Sequence, residues 1–140
     1  MPAYTQDHRL IAVDTPLGKD KLLLTAFSGR EEMSRLFYYR LEMLSETLSI
    51  AAKDIVAKPV GFHIAGPEDG SFRYFHGRVS RFAAGATEQF ETPLRHYRAE
   101  IVPWLWFLTL TANCRIFQDM TEPEIIEKIF NDRGFSDHRK

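Results

Sequence analysis

The sequence is poor in cysteine, in charge of one sign and in long apolar runs. Cys114 is the single cysteine among 140 residues. One thiol cannot form an internal disulfide or supply a thiolate metal site on its own, so we expect a cytoplasmic folding compartment. The formal net charge is -1 at pH 7, which gives no general attraction to nucleic acid or to an anionic membrane surface.

The first eight residues, 1–8, lack the basic start and the apolar core of a signal peptide. The longest apolar runs are also too short for a membrane-spanning helix. We therefore expect neither a signal peptide nor a membrane anchor in this segment. With 44% hydrophobic and 26% charged residues, the chain has the composition of one globular domain that buries a core.

Alternation of apolar and polar residues predicts a mainly β fold with short helices. Phe37, Tyr39, Leu41 and Met43 would share one face of a strand. In residues 94–102, the face that carries Tyr97 is the expected core face. The other strands are expected over residues 9–13, 22–28, 60–65 and 72–82. We expect hairpins between the first two runs and between the last two.

The remaining segments are predicted to be loops, turns, brief helical turns and one longer helix. Brief helical turns are expected at residues 30–34 and 51–56, the second capped by Ser49, and residues 83–87 are expected to be a loose linker. Thr121, Pro123 and Glu124 form a helix start with a capping box. The helix would present an apolar stripe of Ile125, Ile126, Ile129 and Phe130, and Gly134 suits its left-handed end.

Residues typical of catalysis or metal binding are scattered. His63 could face His76 across a turn, and we interpret these two as a cross-strand polar pair rather than a metal site. Cys114 is expected to be a semi-buried, inert thiol. Asp119, Glu122 and Glu124 lie at a predicted helix start, where capping and the positive end of the helix dipole explain acidic residues. No phosphate-binding loop or nucleophile elbow is present, so we expect no catalytic residue, no cofactor and no metal.

The run Trp104-Leu105-Trp106-Phe107 has so many large apolar side chains that some of them must be buried against another element or another chain. Trp104, Trp106, Phe107 and Tyr97 are therefore candidates for packing or for a subunit interface. A core corner is favoured over a subunit contact for each ring. A rival hypothesis is a small enzyme or ligand-binding barrel with a pocket lined by both tryptophans and Tyr97, but the sequence supplies no convergent polar groups for it.

Several motifs together resemble one known family. They are VPWLWFL at 102–108, NCRIFQ at 113–118, TEPEII at 121–126, LTAFSGRE at 24–31 and FHGRV at 75–79. With these motifs the chain, from Leu22 onward, resembles the amino-terminal hub region of VgrG proteins, the spike components of bacterial type VI secretion systems.

The resemblance implies a phage tail hub-like β-barrel. Residues 1–140 would be the amino-terminal part of the hub region, comprising its first barrel and the helix that follows. The rest of the hub, an oligosaccharide-binding-type domain and a β-prism spike would lie outside this chain. The expectation is thus an incomplete piece of a larger hub.

The resemblance also implies a structural role without catalysis. The hub would form a homotrimer, join the Hcp tube protein to a membrane-puncturing tip, and help to deliver effector or adaptor proteins. It would be made in the bacterial cytoplasm and exported by the type VI system without a signal peptide. The alternative is the baseplate hub protein of a contractile phage tail, which shares the fold.

Overall fold

One antiparallel sheet dominates the computed structural model, which describes residues 4–68 and 70–136. The strands are β1 (Ile11–Asp14), β2 (Leu23–Arg30), β3 (Tyr38–Ser45), β4 (Pro59–Ala65), β5 (Phe72–Glu88) and β6 (Leu94–Val102). Hydrogen bonding joins them in the order β1-β4-β5-β6-β3-β2. The sheet curls so that its two end strands, β1 and β2, come near each other.

The core lies on the inner face of the curled sheet. Tyr39, Leu41 and Met43 are buried there from β3, and Tyr97 and Ile101 are buried from β6. Each of these strands buries alternate residues because successive side chains point to opposite faces of a sheet. The core faces predicted for β3 and β6 are therefore confirmed.

The end strands β1 and β2 do not form the predicted hairpin. β1 pairs with β4, with Val13 opposite Phe62, and β2 pairs with β3. The side chain of Gln6 lies between the two end strands: its Nε2 donates to the Val13 carbonyl at 3.0 Å, and its Oε1 accepts from the amides of Val13 and Leu24 at 2.9 and 3.0 Å. The side-chain amide of Gln6 thus supplies the hydrogen bonds that a backbone partner would otherwise supply between β1 and β2. We call this junction the seam.

The predicted hairpin of β4 and β5 is confirmed, but β5 is longer than expected. Residues 83–87 belong to the strand rather than to a linker, with Ala83 opposite Arg98 and Ala84 opposite Tyr97. Two irregularities, at Val79/Arg81 and Ala84/Thr87, shift the register along β6. These shifts and the run of small residues hide the alternation that marks a strand in sequence.

Two predicted local features are wrong. Residues 30–34 form no helix, because β2 continues to Arg30 and a turn follows. A short 3₁₀ helix does occur at Ala52–Asp54, but its N-cap residue is Ala51, in extended conformation and without a side-chain cap. Ser49 is therefore not the cap, and the helix is shorter than the predicted turn.

The chain divides into two compact units, Met1–Trp106 and Phe107–Lys140. A 3₁₀ helix, Trp104–Leu110, follows β6, and the second unit contains helix α1 (Glu122–Asp132). The predicted capping box is present, with the Thr121 amide donating to Glu124 Oε2 at 2.7 Å. Gly134 has a φ of +76°, as predicted for the helix end. No helix within the described residues is long and apolar enough to cross a membrane.

Candidate functional site

Tyr97 is a core residue of the first unit. Its ring is 1% exposed and stacks on Phe82, with ring centroids 5.2 Å apart. Its hydroxyl donates to the Thr47 carbonyl at 2.9 Å and accepts from the Ile50 amide at 3.3 Å. The tyrosine therefore anchors the loop after β3 to the sheet, which is a packing role.

The other three predicted site residues lie in the 3₁₀ helix after β6. Trp104, Trp106 and Phe107 are all half-buried. The Trp106 amide donates to the Pro103 carbonyl at 3.0 Å, which begins the helical turn. Trp104 and Trp106 belong to the first unit and Phe107 to the second. Their assignment to packing within the barrel, rather than to a subunit contact, stays a prediction.

A row of aromatic side chains covers the outer face of β4 and β5. We call His63, Phe72, Tyr74 and His76 the aromatic row. Phe62 and the other inner residues of these strands pack in the core, so the alternate positions point outward. Ring centroids within the row are 5.0 to 6.5 Å apart.

The aromatic row is open to solvent at its centre. Tyr74 is 60% exposed and Phe72 is 46% exposed, and the nearby Leu10, just before β1, is 76% exposed. Single exposed apolar side chains are ordinary, but a contiguous group of them marks an interaction surface. The curled sheet therefore presents apolar area outward on this face.

The predicted pairing of His63 with His76 is wrong. His63 lies opposite Tyr74, and His76 lies opposite Gly61, so the two histidines are not cross-strand partners. The Nδ1 atom of His63 is buried without a hydrogen-bond partner in the described part of the chain. No group of three or more His, Cys, Asp or Glu side chains within residues 4–68 and 70–136 could hold a metal ion. Cys114 is exposed, not semi-buried as expected.

Charged side chains cover the outer face of β3, β6 and β5. Arg40 of β3 and Arg81 of β5 flank Glu100 of β6, at 4.0 and 3.8 Å. One step along the strands, Glu42 pairs with Arg98 at 3.7 Å. We call these five residues the charged ladder. Exposed ion pairs of this kind add little stability, but they make this face polar while the face of β4 remains aromatic.

A buried hydroxyl marks one end of the inner face. The Tyr39 hydroxyl donates to Glu31, whose other carboxylate oxygen accepts from Arg73 at 3.3 Å. Burial and the Glu31 carboxylate raise the pKa of Tyr39 above its usual value. The Arg73 guanidinium also lies over the Phe75 ring, 4.8 Å from its centroid. This cluster fixes the side chains at the end of the barrel.

The match to a family of known proteins decides what kind of molecule this is. Residues 30–140 match the family model described as phage tail baseplate hub (GPD). This chain belongs to the phage tail baseplate hub family.

Two curated relatives of this hub chain come from Pseudomonas aeruginosa strain PAO1. The type VI secretion system spike protein VgrG1c is 43% identical over 135 residues, which are 96% of the hub chain and 18% of that protein. The spike protein VgrG1a is 45% identical over 130 residues, 92% of the hub chain and 19% of that protein. The resemblance to VgrG proteins is confirmed, and the hub chain spans about a fifth of their length.

A solved structure shares the hub fold. The E. coli c3393 protein is described as a component of the type VI secretion system with structural similarity to the T4 bacteriophage tail proteins gp27 and gp5. It superposes with a TM-score of 0.73 at 23% identity, over 91% of the hub chain and 33% of its own chain. This likeness confirms the predicted phage tail hub-like β fold.

The rival hypothesis requires Trp104, Trp106 and Tyr97 to line one pocket. A cleft of about 360 Å³ borders Tyr97, but the rest of its lining comes from the charged ladder, His96 and the small residues 83–86. Neither Trp104 nor Trp106 lines it. The three aromatic residues that the rival pocket required are thus not brought together there.

Sequence reasoning missed two features of the hub chain. Phe72, Tyr74 and His76 alternate along β5, and this period of two could have identified the aromatic row. The direction of the row was hidden because Phe75, between them, is aromatic too and packs on Phe62. No sequence pattern indicated the role of Gln6, because its hydrogen-bond partners lie 7 and 18 residues away in the chain.

Proposed function

We propose that this chain is the amino-terminal hub part of a VgrG-type spike protein, with a structural and not a catalytic role. Residues 1–140 would comprise the first barrel of the hub and the helix that follows it. Support comes from the hub family match and from the two spike-protein relatives. The observation that carries the proposal is the hub-like barrel with an exposed aromatic row, because apolar area on an outer face suits assembly better than catalysis.

The proposed role is mechanical. Three copies of the hub would form a ring that joins the Hcp tube to the tip, so that both move together and carry effector or adaptor proteins. The complete protein would be made in the bacterial cytoplasm and exported by the type VI system without a signal peptide. Assembly of this kind needs large complementary surfaces, which buried apolar area and aromatic anchors supply.

Within this role, we assign the aromatic row to contact with another hub barrel. Phe72 and Tyr74 give the row its exposed apolar area, and the charged ladder leaves the face of β3 and β6 polar. Aromatic residues are enriched at the centres of protein interfaces and contribute much of the binding energy there. The aromatic row is therefore better suited than the charged ladder to a stable contact with another hub barrel.

The experiment is co-purification of the complete protein with the Hcp tube protein, together with its mass in solution. The double variant Phe72→Ser/Tyr74→Ser replaces both exposed rings and should weaken the association between hub copies, which lowers the mass in solution. The control Phe90→Ser should leave this association unchanged. Phe90 is 52% exposed and lies in the loop between β5 and β6. If both variants and the native protein associate to the same extent, the aromatic row does not contact another hub barrel.

The alternative function is the baseplate hub of a contractile phage tail. The family match favours it equally, because the matching model is that of a phage baseplate hub. Neighbouring genes distinguish the two: genes for a secretion sheath and tube support the spike, and genes for a capsid and tail fibres support the phage.

A further inference from the structure

Strand β5 continues beyond the end of its neighbour β4. The pairing of these two strands ends where Pro59 lies opposite Arg78. Val79 then exchanges backbone hydrogen bonds with the loop before β4, its carbonyl accepting from Ala57 at 2.8 Å and its amide donating to Lys58 at 3.1 Å. From residue 80 to residue 88, β5 is paired with β6 on one side. Its other side, which we call the open edge, has no strand beside it among the described residues.

The open edge is accessible and made of small residues. Its centre, residues 83–86, is exposed and reads Ala-Ala-Gly-Ala, without proline. Side chains of this size allow another backbone to come close. Arg95 Nε donates to the Gly85 carbonyl at 3.2 Å, so one acceptor already has a partner. A strand edge without a neighbour presents backbone amides and carbonyls to which a further strand can be added.

The charged ladder predicts the chemistry of the added strand. Across the outer face, Arg40 of β3, Glu100 of β6 and Arg81 of β5 lie side by side, so the charge alternates from strand to strand. The ladder ends at Arg81, whose side chain is 81% exposed. The next strand would place a side chain beside this guanidinium, and opposite charges on adjacent strands stabilise pairing. A carboxylate at that position would continue the alternation.

We propose that the open edge binds an extended segment of a partner polypeptide as an added β-strand, with a carboxylate next to Arg81. The backbone of residues 80–88 would supply the hydrogen bonds, and Arg81 would set the register and select acidic segments. This inference rests on the fold alone and not on the role proposed above, so each can fail without the other.

The test is amide hydrogen exchange of the complete protein that contains this chain, with and without a synthetic strand peptide. The peptide alternates threonine and valine and carries a central aspartate; the matched peptide carries lysine instead. The aspartate peptide should slow exchange at residues 80–88 and should bind roughly fivefold more tightly than the lysine peptide. Arg81→Glu should reverse this preference, while Arg9→Glu, at an exposed site before β1, should leave it unchanged.

Three results would overturn the proposal. The first is an open edge whose amides exchange at the same rate with both peptides and without them. The second is equal binding of both peptides by the native chain and by Arg81→Glu, which would show that Arg81 selects nothing. The third is protection of residues 80–88 in the free chain that is lost on dilution, since a second copy of the chain would then occupy the edge.

Discussion

Gly77 lies where β5 comes close to β6 and no larger side chain fits. A Cβ at this position would lie 2.5 Å from Ile101 Cγ2 and 2.8 Å from the Val102 carbonyl oxygen. We expect Gly77→Ala to lower the free energy of unfolding by about 1–3 kcal/mol, because backbone and a core methyl must both shift. Urea unfolding measures this change.

The control for Gly77 lies on the adjacent strand. A Cβ at Gly61 would lie 3.2 Å from the His76 ring, so an exposed side chain, and no backbone atom, would have to give way. Gly61→Ala should therefore destabilise the fold less than Gly77→Ala. Equal midpoints for the two variants would contradict the packing described for β5 and β6.

The stability of the fold should fall with rising pH in the alkaline range because of Tyr39. Its pKa in the folded chain is raised, first by burial and then by Glu31, whereas the unfolded value is about 10. Above that pH the unfolded chain loses the phenol proton while the folded chain keeps it, so the folded state binds more protons and stability falls as pH rises. In Tyr39→Phe the loss of stability above about pH 10 should be shallower.

Unfolding in urea at a series of alkaline pH values tests the Tyr39 prediction. The control is Tyr74→Phe, which removes a phenol that is 60% exposed instead of the buried one. A Tyr39→Phe variant with the same alkaline slope as the native chain would show that the raised pKa does not affect folding.

At the scale of elements, the seam between β1 and β2 depends on Gln6. In Gln6→Ala, the amides of Val13 and Leu24 and the Val13 carbonyl lose the partner that they share. We expect a loss of about 2–4 kcal/mol in unfolding free energy, because buried backbone groups would be left unsatisfied. Faster amide exchange at Val13 and Leu24 should accompany it.

The matched control for the seam is Gln89→Ala. Gln89 is exposed in the loop after β5, so its replacement should change neither stability nor exchange in β1 and β2. A Gln6→Ala chain as stable as this control, with unchanged exchange at Val13, would mean that the end strands hold together without the glutamine.

The strands that the sequence predicts best are those with one buried face. In β3 and β6 the core side chains recur at every second residue, with Leu41 and Tyr97 as examples, so burial leaves a periodic signal. The pairing of β1 was mispredicted because its partner is β4, where Phe62 lies opposite Val13, and a pairing between segments so far apart in the chain leaves no local pattern. The end of β5 was missed because Ala83 and its small neighbours have no apolar alternation.

Among the candidate site residues, Tyr97 lies on the core face predicted for β6. The roles of Trp104, Trp106 and Phe107 stay predictions. Phe72 and Tyr74 lie on a strand with aromatic residues on both faces, and periodicity does not tell which face is outward. The direction became evident only when Phe62 and its neighbours were found in the core.

At the scale of the whole molecule, the first unit presents two different outer faces. The aromatic row lies on β4 and β5, and the charged ladder lies on β3, β6 and β5. Family membership, the spike-protein relatives and the hub-like fold agree with a part built for assembly. A structural hub needs surfaces of this kind.

The mass of the complete protein in solution tests the central claim most directly. Native mass spectrometry, over a range of concentrations, should show three copies in one particle, and the particle should bind the Hcp tube protein. A complete protein that remains monomeric at every concentration and does not bind the tube would contradict the proposed hub role.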